Sequence, residues 1–154
     1  MRDERNVHQV YLGLGSNLGD REANIAKAIR LIGERIGRVE RQSTLIETEP
    51  WGFASPNRFL NGVILCLTER TPREVLQLTQ QIERDLGRKQ KSKAHDQKSK
   101  NYSPPIVYAD RPIDIDILLY DDLHVQDADL TIPHPLMYER DFVMQPLNEI
   151  ISDD

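Results

Sequence analysis

The sequence predicts an α+β fold, a ferredoxin-like β-α-β-β-α-β sandwich on an antiparallel sheet with a C-terminal extension. Three observations predict it. Strand-like apolar runs recur at residues 8–16, 59–68 and 113–119. Two segments with helical spacing and clear end signals follow the first and second of these runs. No repeat or linker divides the 154 residues, so a single domain is expected over 1–154.

The first strand, residues 8–16, is apolar and leads into the glycine-rich turn Gly13-Leu14-Gly15-Ser16-Asn17-Leu18-Gly19-Asp20. Asp20 stands at the N-cap of a helix whose apolar stripe is Ile25, Ala28, Ile29, Ile32 and Ile36, with Gly37 as its stop. Residues 38–47 read as a second, weakly patterned strand. A loop with Pro50, Gly52 and Pro56 leads to the third strand, residues 59–68. Thr71, Pro72 and Glu74 make a capping box with proline at the first helical position. Val75, Leu78, Ile82 and Leu86 then recur at near-helical spacing up to Gly87. A basic loop at about 88–111 precedes the last strand, which a hairpin turn at Asp121-Asp122 ends. Turns and short helices complete the chain.

Composition narrows the function classes. Hydrophobic content of 38% with 29% charged residues describes a soluble globular protein, and no apolar run approaches the roughly 18 residues of a membrane span. The charged N-terminus lacks the apolar core of a signal peptide. Cys66, the single cysteine, sits in an apolar run and has no partner for an internal disulfide. A reducing cytoplasm is the expected compartment. A net charge of −5 argues against nucleic-acid binding. Its distribution is uneven, because residues 88–111 carry seven basic side chains against Asp96 and Asp110. Such a loop suits a polyphosphate clamp, or is a solvated charge-rich loop.

The stretch Arg111-Pro112-Ile113-Asp114-Ile115-Asp116-Ile117-Leu118-Leu119-Tyr120 carries the clearest chemical signal. Alternation points Ile113, Ile115, Ile117 and Leu119 to one face of the strand and Asp114 and Asp116 to the other. Two carboxylates side by side repel unless a cation lies between them. Mg²⁺ fits, since it is usually held by one or two carboxylates plus substrate phosphates. A solvated strand face is the alternative. Two helices on one side of the sheet would leave the other side free for this pair.

Other constellations are weaker alone. The glycine-rich turn fails the dinucleotide fingerprint because its third glycine comes one residue late. It fails the P-loop because Asp20-Arg21 stands where Lys-Ser/Thr is required. A structural tight turn is the better reading. Gln80 and Glu83 share a helix face. His134 is held between Pro133 and Pro135, with Arg140 five residues after the second proline. Thr48, Glu49, Trp51, Phe59 and Asn61 offer rings and polar groups suited to a flat heteroaromatic ligand.

Together these residues resemble the 6-hydroxymethyl-7,8-dihydropterin pyrophosphokinase family of folate biosynthesis. The motifs stand in order: Gly15-Ser16-Asn17-Leu18-Gly19, Thr48-Glu49-Pro50-Trp51-Gly52, Phe59-Leu60-Asn61, Arg111 to Ile117, Pro133-His134-Pro135 and Arg140-Asp141-Phe142. The resemblance runs from about Val10 to Ile150. It implies transfer of pyrophosphate from ATP to the pterin hydroxymethyl group, with release of AMP. It implies two Mg²⁺ ions on Asp114 and Asp116, and catalytic roles for Arg88 and Arg111 as a mobile loop over 88–111 closes. By the same resemblance Gln80, Glu83, Arg88, Arg111, Ile117, Thr131, His134 and Arg140 bind ATP. Thr48, Glu49, Trp51, Phe59, Asn61, Tyr108, Asp114 and Phe142 bind the pterin. A monomer without nucleic-acid or membrane partners is expected.

Among departures from the family pattern, those at Asp129 and Pro135 concern ATP affinity more than chemistry. The 87–111 loop looks roughly a dozen residues longer than in compact relatives. Asp129 stands where some relatives place an ATP-binding Arg, and Pro135 replaces an aromatic. Two other readings compete: another Mg-dependent nucleotidyl- or glycosyl-transferase using Asp-x-Asp, and a non-catalytic ferredoxin-like module. The first leaves the His134 turn and the aromatic residues unexplained. The second has no need for paired carboxylates beside a basic loop.

Overall fold

The structure, a computed structural model, describes residues 7–49, 57–87 and 111–151. The order is β1 (His8–Ser16), α1 (Arg21–Arg35), β2 (Gly37–Gln42), β3 (Ile46–Thr48), β4 (Phe59–Thr68), α2 (Pro72–Asp85) and β5 (Asp114–Tyr120). A small pair follows, β6 (Val125–Asp127) and β7 (Leu130–Ile132), then a 3-10 turn at Met137–Glu139 and α3 (Asp141–Ile150). The main sheet is antiparallel, in the order β2-β4-β1-β5, with β3 sharing the β2 edge of β4.

Both helix starts follow the sequence. The Asp20 carboxylate accepts from the Ala23 N–H at 3.1 Å. Thr71 Oγ1 accepts from the Glu74 N–H at 3.2 Å, while Glu74 Oε1 accepts from the Thr71 N–H at 2.8 Å. Each such cap stabilises a helix by about 1 kcal/mol. The buried stripes, including Ile25 and Ile32 of α1 and Val75 and Ile82 of α2, pack on one face of the sheet against Leu12, Ile64 and Ile115. Cys66 is fully buried in this core, and burial pushes its thiol up to about 12.

The opposite face is not left free. Met137, Val143, Leu147 and Ile150 pack there on Tyr11, Val63, Leu65 and Leu118, so α3 and the 3-10 turn cover part of it. The last strand also departs from simple alternation. A bulge between Tyr11 and Leu12 in the β1–β5 register pairs Leu12 with Ile117 and Tyr11 with Leu119, leaving Leu118 as the extra residue. Beyond it the faces exchange. Leu119, expected beside Ile117, packs against the second core, and Tyr120 returns to the helix-side core.

Three further expectations change. The single strand at 38–47 is two, because Ser43 interrupts it and bonds Val63 twice, through N–H to the Val63 carbonyl and through Oγ from the Val63 N–H, each at 2.9 Å. Gly37 does follow the end of α1, after the C-cap Ile36, but as the first residue of β2. A Cβ at Gly37 would lie 2.1 Å from the Leu67 carbonyl oxygen, so close cross-strand approach explains the glycine. The turn at Asp121-Asp122 does not start a hairpin. Asp121 bonds back to Gln9 of β1 through both backbone and carboxylate, and β6 pairs with β7 alone. No helix among the described residues is long and apolar enough to cross a membrane.

Candidate active site

The site is built on the uncovered part of the second sheet face. In β1, Gly13 and Gly15 sit within the strand, opposite Asp116 and Asp114 of β5 on one side and Val63 and Asn61 of β4 on the other. All of them line one pocket. The two glycines form its floor. A Cβ at Gly15 would lie 2.8 Å from Asn61 Oδ1 and 3.5 Å from the Phe59 ring, so a side chain there would intrude on that wall.

One wall is aromatic and polar. Asn61 Nδ2 donates to Thr48 Oγ1 at 2.6 Å, fixing both groups at the edge beside Phe59. Phe142 at the start of α3 lines the same pocket. The other wall is charged. Asp114 lies 3.7 Å from the Arg111 guanidinium. Arg111 in turn stands over the Phe59 ring at 5.4 Å, and Arg140, buried, stands over Phe142 at 5.5 Å. Each arginine therefore touches a ring while lining the space in front of the carboxylates.

Glu49 also lines the pocket, gripped from outside by Arg58 at 2.6 Å. Glu47 bridges Arg58 and Arg21, and Arg21 above all holds its carboxyl below the usual range. This exposed network ties α1 to the β3 wall.

Thr48, Glu49, Phe59, Asn61, Arg111, Asp114, Asp116, Arg140 and Phe142 thus meet in one place. Gln80, Glu83, Ile117, Thr131 and His134 do not line it. Glu83 is buried, and its Oε2 accepts from the Ile115 N–H at 2.7 Å, between the two aspartates. Ile117 lies in the helix-side core. His134 donates its backbone N–H to the Leu118 carbonyl at 3.0 Å, and its Nδ1 accepts from the Leu136 N–H at 3.3 Å. Asp129 pairs at 2.8 Å with Arg73, which also holds Asp127. That pairing keeps the Asp129 carboxyl below its usual range. Trp51, Arg88, Tyr108 and the basic loop up to residue 110 lie outside the described residues.

Among the described residues no group of three or more His, Cys, Asp or Glu side chains gathers as a metal cluster. Asp114 and Asp116 are a pair that could hold Mg²⁺, an ion usually bound by one or two carboxylates plus water and substrate phosphates. Gly13 and Gly15, expected in a tight turn, are strand residues that floor the pocket. Glycines two apart in an apolar strand were the available signal, since that spacing puts both on one face.

A sequence profile of the 7,8-dihydro-6-hydroxymethylpterin-pyrophosphokinase (HPPK) family matches residues 11–152. The chain belongs to this family. It is 48% identical over 142 residues to the 2-amino-4-hydroxy-6-hydroxymethyldihydropteridine pyrophosphokinase of Porphyromonas gingivalis, covering 92% of this chain and 89% of that one. To the protein of the same name from Aquifex aeolicus it is 40% identical, covering 92% and 79%. The mitochondrial folate synthesis bifunctional protein of Arabidopsis thaliana is 37% identical over 94% of this chain, which spans 24% of that larger protein. Among solved structures, a Plasmodium falciparum HPPK-DHPS crystallised with pterin and p-hydrobenzoate superposes with a TM-score of 0.62 at 14% identity, over 92% of this chain and 40% of that one. That likeness shows a shared HPPK fold.

Proposed function

We propose that this chain transfers pyrophosphate from ATP to 6-hydroxymethyl-7,8-dihydropterin in folate biosynthesis, giving AMP and the pterin diphosphate. One observation carries the reading beyond family membership. A slot with rings and fixed polar groups, Phe59, Phe142, Asn61 and Thr48, opens on the same sheet face as Asp114 and Asp116. A flat pterin fits between the rings, with the Asn61–Thr48 pair reading its edge. Its hydroxymethyl group would then point toward the carboxylates.

Asp114 and Asp116 are the groups to hold Mg²⁺, two ions by family likeness; when bound, these neutralise the triphosphate and stabilise charge in transit. The hydroxyl oxygen forms a bond to the β-phosphorus, the bond from that phosphorus to the α-phosphate oxygen breaks so that AMP leaves with that oxygen, and the hydroxyl proton is released to solvent. Arg111 and Arg140 present fixed donor forks to phosphate oxygens, and Arg88 is proposed for the same task. Gln80, Glu83, Ile117, Thr131 and His134 are proposed for the nucleotide, on the contacting elements α2, β5 and β7 and the turn after them. Glu49, Trp51 and Tyr108 complete the proposed pterin set. The antiparallel order β2-β4-β1-β5 supports the ferredoxin-like reading of the frame. A cytoplasmic monomer is the proposed setting; a single buried cysteine fits a reducing compartment.

The test is product analysis after incubation with ATP, Mg²⁺ and the hydroxymethyl dihydropterin. AMP and the pterin diphosphate in equal amounts are expected. ADP, or AMP without a pterin product, overturns the reading.

A further inference from the structure

The turn after β1 holds one residue that the site described so far does not use. Asn17 is 3% exposed. Its backbone N–H donates to the Arg111 carbonyl at 3.0 Å, and its Oδ1 accepts from the Arg111 N–H at 2.7 Å. Its Nδ2 donates to the Asn57 carbonyl at 3.2 Å. One buried side chain therefore joins Arg111, three residues before β5, to Asn57, two residues before β4.

The holder is itself held. Asn24 of α1 donates to the Leu18 carbonyl at 2.9 Å, and Gly19 turns the chain with a φ of +69°. Pro112, next to Arg111, has no N–H to offer and a fixed φ. The backbone origin of the Arg111 side chain is thus anchored by Asn17 on one side and by a stiff step into β5 on the other. From that origin the guanidinium reaches Asp114 and the Phe59 ring.

We propose that Asn17 is a positioning residue that sets the Arg111 guanidinium against the pterin wall, its Oδ1 governing the arginine and its Nδ2 the Asn57–Phe59 segment. This rests on the roles proposed above for Arg111 and Phe59. Displacing a phosphate-binding group by about 1 Å lowers a rate about a hundredfold, so a single backbone anchor matters. The two halves of the amide serve different substrates. Loss of the acceptor disturbs the phosphate side, and loss of the donor disturbs the pterin side.

A double-mutant cycle with Arg111 tests it, with kcat, the pterin dissociation constant from fluorescence titration, and the thermal midpoint measured for each variant. Asn17→Ala is expected to lower kcat about tenfold or more in the parent chain and less than about twofold in an Arg111→Ala background. An equal factor in both backgrounds overturns the proposal, since Asn17 would then act on the fold at large. Asn17→Asp keeps the acceptor and removes the donor; it is expected to hold kcat within about threefold while weakening pterin binding about fivefold. It also carries the test if Asn17→Ala folds poorly. A kcat as low as that of Asn17→Ala, or unchanged pterin binding, overturns the division of labour. If Arg111→Ala alone leaves kcat unchanged, the arginine's role falls and takes this proposal with it. If Arg111→Ala slows the reaction and Asn17→Ala does not, only the proposal falls.

Discussion

The two faces of the sheet are made from the same strands and treated differently. On one, α1 and α2 cover an apolar surface with their buried stripes. On the other, α3 covers only part, and the remainder is a pocket floored by two glycines and edged by two aspartates and two arginines. The first face is closed with large branched side chains. The second is opened by removing side chains at Gly13 and Gly15 and placing charge beside the gap. The contrast separates residues that hold the fold from residues proposed to act in it, although they alternate along one strand: Ile115 faces the helices, and its neighbours Asp114 and Asp116 face the pocket.

Substitutions on either side of that divide should behave differently. The largest effect is expected on the open face. Asp116→Ala should lower kcat by about a thousandfold or more, about 4 kcal/mol on the barrier, with a thermal midpoint close to that of the parent. Turnover near the parent level would remove Asp116 from the catalytic set. On the closed face, Ile64→Ala should cost about 3 kcal/mol of stability in denaturant unfolding while leaving kcat per folded molecule within about twofold. A large loss of kcat with full stability would dissolve the distinction. Gly15→Ala sits on the boundary. Its Cβ would crowd Asn61 Oδ1, and pterin binding should weaken about tenfold, roughly 1.4 kcal/mol, with ATP affinity unchanged. Equal weakening for both substrates would deny that Gly15 belongs to the pterin side.

The smallest effect is a pH response away from both faces. Arg73 holds Asp129 below the usual carboxylate range, so this contact stabilises the protein above about pH 4, the ordinary Asp value. The contribution disappears as pH falls through the lowered value. Both partners are exposed, which keeps it small. Arg73→Ala should therefore lower the thermal midpoint slightly at pH 7, and the gap from the parent should close in acid. A gap that widens in acid would contradict the assigned pairing.

Much of this was legible from residue order. Asp20, Thr71 and Glu74 announced the helix starts because caps are local, and Asp114 and Asp116 announced the charged edge because alternation is local. What escaped depends on partners distant in sequence. The bulge at Leu118 is a register decision between β1 and β5, and no pattern within β5 records it. Coverage of the second face by Val143 and Leu147 required knowing where α3 docks. Glu83 shares a helix face with Gln80 in the sequence, and only the approach of α2 to β5 reveals its bond to Ile115. Asn17 read as a turn residue because its partners, Asn57 and Arg111, lie 40 and 94 positions away.

The bond from Glu83 to Ile115 also bears on self-association. β5 ends the main sheet in the order β2-β4-β1-β5, and an end strand offers its outward N–H and C=O groups as a template for another chain. Here the Ile115 N–H is taken by a buried carboxylate, and the Leu118 carbonyl by the backbone of His134. A foreign strand pairing at those two positions would have to displace these bonds. The carboxylate that braces the aspartate strand thus also occupies an edge donor that a neighbouring strand would need.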